Sequence, residues 1–151
     1  MDKLVTDDCA CVFERACIAA RVGGNSIYYH KWLRSDPRDL HDHFYDCVTL
    51  VLSVGLFEET PEGRFWRAPG EIIFRKAEEP HRIEIDPEKP PPETLFIVGP
   101  VRREMGFYTD AHGWLSQDRY YAKVAGHARE RRETAEAGSR PRSRARAAGA
   151  S

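Results

Sequence analysis

The sequence predicts an all-β barrel or sandwich with a helix at each end. Three observations carry that expectation: short apolar runs rich in aromatic and β-branched residues, turn signals between them at close intervals, and helix-forming composition confined to the two ends. At 151 residues the chain suits one domain able to bury a core, and no second domain is expected.

Residues 5 to 20 set apolar side chains at 5, 9, 12, 13, 16 and 20 among Ala, Glu and Arg, which is close to a helical stripe, and Gly23-Gly24-Asn25 ends it. SIYYHKWLRS reads as a strand stopped by Ser35-Asp36-Pro37. The run CVTLVLSVGLFEE is the most buried-looking strand, with Gly55 as a point where it can bend. GRFWRA, EIIFRKA, HRIEID and TLFIVGP follow as shorter strands, separated by Thr60-Pro61-Glu62-Gly63, Pro69-Gly70, Glu78-Glu79-Pro80 and DPEKPPPE. Pro90, Pro91 and Pro92 exclude strand there and suggest a stiff, exposed connection. REMGFYT supplies a last strand, and SQDRYYAKVAGHARERRE a helix fraying into the tail.

No apolar run approaches the ~20 residues needed to span a bilayer, so no membrane role is expected. The acidic N-terminus, interrupted by charge, does not read as a signal peptide, and a cytoplasmic location is the default expectation. The four cysteines, at 9, 11, 17 and 47, have neither zinc-knuckle nor CxxC spacing. Cys17 and Cys47 read as buried thiols, and Cys9-Ala10-Cys11 as a weaker candidate for a soft metal. The net charge of −1 hides an asymmetry, because from Gly126 onward seven arginines face three glutamates, leaving a tail of +4 on a body of −5. That tail, 126–151, is rich in Arg, Ala, Ser and Gly and is expected to be disordered. Clustered Arg attracts phosphate, but no aromatic is interleaved for stacking, so a solvated tail is the preferred reading over nucleic-acid binding.

The chemistry centres on His41-Asp42-His43. In a strand, side chains two apart share a face, so His41 and His43 can present two imidazoles to one point. His81, after a second apolar run, can supply a third, and three neutral imidazoles suit iron, zinc, nickel or copper. The alternative is a set of hydrogen-bonded or surface histidines with no ion. His30 reads as structural or as a residue at the barrel lip, and His112 and His127 as solvated.

These residues resemble the two motifs of the cupins. The first motif runs His-x-His, four residues, Glu, six residues, Gly; His41, His43 and Gly55 match it and Val48 occupies the Glu position. The second opens Gly-Asp, passes a Pro-x-Gly turn and reaches its His eleven residues after the Gly; Gly70, Glu71 and His81 match, while Lys76 and Glu78 replace the turn's Pro and Gly. The resemblance covers roughly residues 27 to 109. It implies a double-stranded β-helix, the cupin jelly-roll barrel, as a single domain over residues 1–125 with an N-terminal and a C-terminal helix. It also implies a divalent metal on His41, His43 and His81, Fe(II) favoured and Zn(II) next, and a homodimer.

Asp46 lies two residues before the usual carboxylate position. It can reach the ion if the chain bulges after Phe44-Tyr45; otherwise it accepts a proton or holds a ligand histidine by its second nitrogen. Tyr108 is a candidate proton donor and, with Asp46, completes the candidate catalytic set. Tyr45, beside the ligands, is the candidate substrate contact, and Arg75 and Arg34 are candidates to grip a carboxylate or phosphate, with Arg82 a further cation on a strand. Any of these arginines can instead face solvent and pair with acids such as Glu84 or Glu71. The resemblance favours an Fe(II) oxygenase of a small organic acid or amino acid. A zinc enzyme of a non-redox rearrangement, elimination or isomerisation comes next, and a non-catalytic metabolite-binding cupin after that. A 2-oxoglutarate-type facial triad would need Asp42 on the histidine face, against strand alternation.

Overall fold

The computed structural model describes residues 2–5 and 11–138. Cys9, Ala10 and the Arg-rich stretch from 139 lie outside them, and so do the expectations resting on those positions.

Among the described residues twelve strands and one helix follow in order: β1 (Asp2–Val5), β2 (Cys11–Val22), β3 (Asn25–Trp32), β4 (Leu40–His41), β5 (Cys47–Ser53), β6 (Leu56–Thr60), β7 (Gly63–Arg67), β8 (Ile72–Arg75), β9 (Arg82–Glu84), β10 (Glu93–Val98), β11 (Gly106–Thr109), β12 (Gly113–Ser116) and α1 (Gln117–Gly138). One wall is a six-stranded sheet ordered β1-β2-β3-β10-β5-β8, antiparallel throughout. The opposite wall is made of two three-stranded sheets, β12-β11-β4 and β7-β6-β9. These two are joined where His41 and His81 exchange both backbone hydrogen bonds, each 2.9 Å. The architecture is that of a jelly roll whose walls face each other without hydrogen bonds closing the barrel among the described residues.

The expected N-terminal helix is not present, because residues 11–22 form β2 and pair along β3. Val22 pairs with Asn25 across Gly23 and Gly24, at φ 61° and 83°, the geometry of a two-residue hairpin with both central residues left-handed. Pairing with a long neighbouring strand overrides the helical stripe, and two register shifts between Cys17 and Val22 absorb its imperfect alternation. The GWLS segment, unassigned by the sequence, forms β12 as the return strand of a hairpin with β11.

The other strand expectations hold with adjusted ends, but the proline connection is exposed only at Pro90 and Pro91, because Pro92 is buried and its carbonyl accepts from Trp32 N at 2.9 Å. The long central run divides at Val54-Gly55, so that β5 joins the large sheet and β6 the opposite wall. Gly55 has φ 87°, and a Cβ there would lie 2.5 Å from the Trp66 ring, so only glycine fits this crossing. Helix α1 begins after Ser116 with Asp118 in its first turn and extends to Gly138, beyond the point at 126 where the sequence suggested the tail begins. It packs through Tyr120, whose ring stacks on Phe107 at 3.9 Å between centroids. A second apolar cluster, Trp32, Leu56 and Ile83, bridges the two walls. No helix among the described residues is long and apolar enough to cross a membrane.

Candidate metal centre and cavity

The segment 41–43 is extended and held on both sides. His41 N donates to His81 O, Asp42 N to Gly106 O at 3.0 Å, and His43 N to Ala77 O at 2.9 Å. Strand alternation then sends His41 and His43 into the barrel and Asp42 the other way. His81 enters on the same face as its cross-strand partner His41. The three imidazole rings form a nearly equilateral triangle, with centroids 5.2 Å (His41–His43), 5.0 Å (His41–His81) and 4.9 Å (His43–His81) apart.

The donor set fits a metal ion. One nitrogen from each ring lies within 4.8 Å of the others, and His43 Nε2 is 3.3 Å from His81 Nε2, close to the spacing of two ligands about 2.1 Å from one ion. Among the described residues His41 Nδ1 and His43 Nδ1 are buried with no hydrogen-bond partner. Burial, then the neighbouring histidines and Arg75, hold His43 well below the ordinary imidazole range. Burial, then His41, Arg75 and Arg67, do the same for His81. Both rings are therefore neutral at neutral pH, the state that donates a lone pair.

Glu58 on β6 is 2% exposed and accepts from His81 Nδ1 at 2.7 Å. It also accepts from Arg75 and, at 2.8 Å, from Arg67 Nε. The two guanidiniums balance its charge, so the pairing with His81 is a hydrogen bond from a neutral ring that leaves Nε2 free for the ion. Sequence reasoning missed this residue. Its one signal is the alternation of β6, which puts Leu56 and Glu58 on one face.

Among the expected site residues, Tyr45 lines the cavity, and burial followed by Tyr28 pushes its hydroxyl up to about 12. Asp46 is not brought to the histidines. Its side chain turns outward to accept from Ala77 N at 2.9 Å and Arg102 at 2.7 Å, and those bonds, Arg102 first, hold it below the ordinary carboxylate range. Phe44 to Asp46 form a connection between β4 and β5 rather than a strand, so no bulge carries Asp46 inward. Tyr108 also faces away; its hydroxyl donates to Asp42 Oδ2 at 3.3 Å, and its neighbour Phe107 takes the inward position. Arg75 points inward but is held by Glu58. Arg34 follows β3 on the exposed surface and does not line the cavity. Val48 pairs with Phe74 and Ile97 on the outer face of its sheet, and Thr49 instead lines the cavity. Cys47 is buried, and burial pushes its thiol up to about 12, which leaves it inert.

Asp42 is fully buried behind the histidines. It accepts from Gly106 N at 2.6 Å and Trp114 Nε1 at 2.9 Å, and pairs with Arg103 at 2.6 Å. It is thereby committed to the β11–β12 hairpin and takes no part in a facial triad. The turn that departs from the cupin pattern closes with Glu79 N donating to Lys76 O at 3.1 Å, and the Glu79 carboxylate accepting from Lys76 N at 2.8 Å.

A cavity of about 250 Å³ opens above the triangle. Trp32, Leu56, Ile83, Phe96 and Phe107 make it largely apolar, with Thr94, Gln117 and Arg15 as polar groups on the wall. Asp36, read from the sequence only as part of a turn, also lines it, with Oδ2 accepting from Ile83 N at 2.7 Å. Burial raises its carboxyl above the usual range, against the opposing pull of His41.

The chain matches no family model and no curated protein. Solved structures do resemble it. The polyketide cyclase RemF from Streptomyces resistomycificus superposes with a TM-score of 0.57 at 18% identity, over 72% of this chain and 76% of that one. The DMSP lyase DddQ from Ruegeria pomeroyi DSS-3 gives 0.54 at 14% identity, over 68% of this chain and 55% of that one, so the match spans little more than half of the lyase. A protein assigned as a mannose-6-phosphate isomerase, from Ralstonia eutropha JMP134, gives 0.53 at 20% identity, over 66% and 93%. At these identities the likeness concerns the fold, and the fold is that of the cupins.

Proposed function

We propose that this chain is a metal-dependent cupin enzyme acting on a small organic or amino acid, with a divalent ion on His41, His43 and His81. The observation that carries this reading is the convergence of three imidazoles, those of His43 and His81 held neutral by burial, at the floor of an apolar cavity. The finer reading is an Fe(II) oxygenase. An all-imidazole ligand set supports it, since Val48 faces outward and Asp46 is engaged elsewhere, which leaves positions open for substrate. The ion would supply Lewis acidity or redox chemistry. The chain's own residues hold it, exclude water with the aromatic wall, and orient the substrate beside Tyr45. A cytoplasmic homodimer is part of the same proposal, the latter supported by the apolar outer face of the large sheet.

One observation favours a second reading, a zinc enzyme of a non-redox elimination or isomerisation. Asp36 places a carboxyl on the cavity wall in an environment that favours its protonated form, suited to moving a proton to or from a bound substrate.

The test is metal analysis by plasma mass spectrometry on tag-free protein, with His41→Ala and His81→Ala alongside, followed by oxygen uptake with a panel of small acids. Near-stoichiometric iron lost in both variants, with substrate-dependent oxygen uptake, supports the oxygenase. Zinc with turnover in the absence of oxygen supports the second reading. Metal-free protein after anaerobic reconstitution would overturn both and leave a binding cupin.

A further inference from the structure

Arg15 is the cation on the cavity wall that the histidine chemistry does not use. It sits on β2 opposite His30 in the register and faces the cavity with His30, Trp32 and Thr94. Its guanidinium lies 4.7 Å from the centre of the Tyr28 ring, so one face is packed against an aromatic and the fork is held at the cavity wall. Among the side chains the structure describes, which do not include that of Asp2 opposite it on β1, none forms an ion pair with Arg15, whereas Arg67, Arg75, Arg82, Arg102 and Arg103 are each bound to a carboxylate. Among the described residues the one carboxyl lining the cavity is that of Asp36, which is held by the Ile83 amide. His30 beside Arg15 is kept neutral, with its value lowered to about 3 by burial and then by Arg15, and adds no competing charge.

A planar guanidinium stacked on a ring at the wall of an apolar cavity is suited to a carboxylate, which it can bind through two parallel hydrogen bonds. We propose that Arg15 anchors the carboxylate of the substrate, and that the site selects small organic anions with an apolar body over their uncharged analogues. This takes the role the sequence offered to Arg75 and Arg34. It rests on the cavity being the substrate site, but it does not depend on which metal the histidines hold.

The test uses matched probes that differ in charge: benzoate with benzamide, phenylacetate with phenylacetamide, and hexanoate with hexanamide. Each is titrated by calorimetry and by the fluorescence of Trp32, with Trp66→Phe and Trp114→Phe in the background to leave Trp32 as the reporter. Wild type, Arg15→Gln and Arg15→Lys are compared in both metal-loaded and chelator-stripped protein. Arg15→Gln is expected to weaken acid binding by roughly tenfold or more while leaving the amides unchanged, and Arg15→Lys to recover part of the loss. The stripped protein separates the two readings, because there a carboxylate has no ion to hold. An Arg15-dependent preference that persists without metal supports the anchor even if the metal centre fails. Equal binding of acids and amides, an unchanged preference in Arg15→Gln, or no saturable acid binding by any of the three would overturn it.

Discussion

His81 donates its Nδ1 hydrogen to Glu58 Oε1 across 2.7 Å, and this bond fixes which of its nitrogens faces His41 and His43. Glu58 is held in turn by Arg75 and Arg67 from β8 and β7, so three strands set the orientation of one imidazole. Replacing Glu58 by Gln keeps the shape and removes the charge the two arginines balance. Metal affinity is expected to fall about 10–100-fold, the usual loss when a partner behind a ligand is removed. Stability is expected to fall by roughly 3–5 kcal/mol, because Arg75 is left buried without its counter-charge. Chelator competition and urea unfolding measure the two effects. A folded Glu58→Gln protein with wild-type metal affinity would show that the bond does not tune the site.

Asp42 performs the complementary task from behind His41 and His43. Its carboxylate gathers Gly106 N, Trp114 Nε1, Tyr108 OH and Arg103, tying the β11–β12 hairpin to the strand that carries the ligands. Asp42→Ala removes the acceptor for all of them in a fully buried place and is expected to cost roughly 3–5 kcal/mol. Hydrogen exchange should show the loss of protection concentrated in residues 106–116, with Asp42→Asn intermediate because its amide keeps one acceptor oxygen. Uniform loss across the large sheet would contradict this local role.

The ligand triangle was legible in the sequence because its geometry is local. An HxH in an extended segment and a third histidine at the end of a later strand need only strand alternation and one antiparallel bridge to meet. Gly55 was legible as a bend in a long apolar run, while the change of sheet there and the approach of Trp66 came only from the structure. Glu58, Asp36 and Arg15 were not legible, since each acts on the site from a different strand or turn and their meeting depends on registers no spacing encodes. The N-terminal region was misread because its apolar residues fit a helical period, while Val22-Gly23-Gly24-Asn25 carried the stronger hairpin signal. Arg75 was offered as a grip for an anion, with pairing to an acid as the alternative; the acid it meets is Glu58, 17 residues earlier on another sheet.

The buried neutral histidines make the metal-free protein sensitive to acid. His30 titrates near 6.5 when unfolded and at about 3 when folded, so below about pH 6.5 the unfolded chain takes up a proton that the folded chain refuses. Its contribution is complete above 6.5 and is lost as pH falls toward 3, at up to ~1.4 kcal/mol per pH unit. His43 and His81 shift in the same direction and steepen the loss. Asp36, shifted upward, opposes it as pH falls. Urea unfolding between about pH 8 and pH 5 is expected to show declining stability, with a shallower slope in His30→Phe, which keeps the aromatic contacts with Trp32 and Phe96. Parallel slopes in the two proteins would mean that His30 already carries a proton in the native state.

On the outer face of the large sheet, β10, β5 and β8 present an apolar patch where a monomer would be polar. Val48 lies opposite Phe74 and Ile97, Leu50 opposite Ile72 and Leu95, and the pattern continues to Ile27 and Tyr29 on β3. Ile72 and Phe74 are 71% and 64% exposed on β8, the edge strand. A contiguous face of this kind on a sheet marks an association surface, and a second copy of the same chain satisfies it with one two-fold axis. The protein is expected to sediment as a dimer. Phe74→Glu with Ile72→Glu should give a monomer of unchanged secondary structure, because both side chains project into solvent and neither supports the core. Because this face is turned away from the cavity, the monomeric variant should keep wild-type metal content. A wild-type monomer at micromolar concentration would remove the interface, and loss of metal in the variant would show that the two faces are coupled.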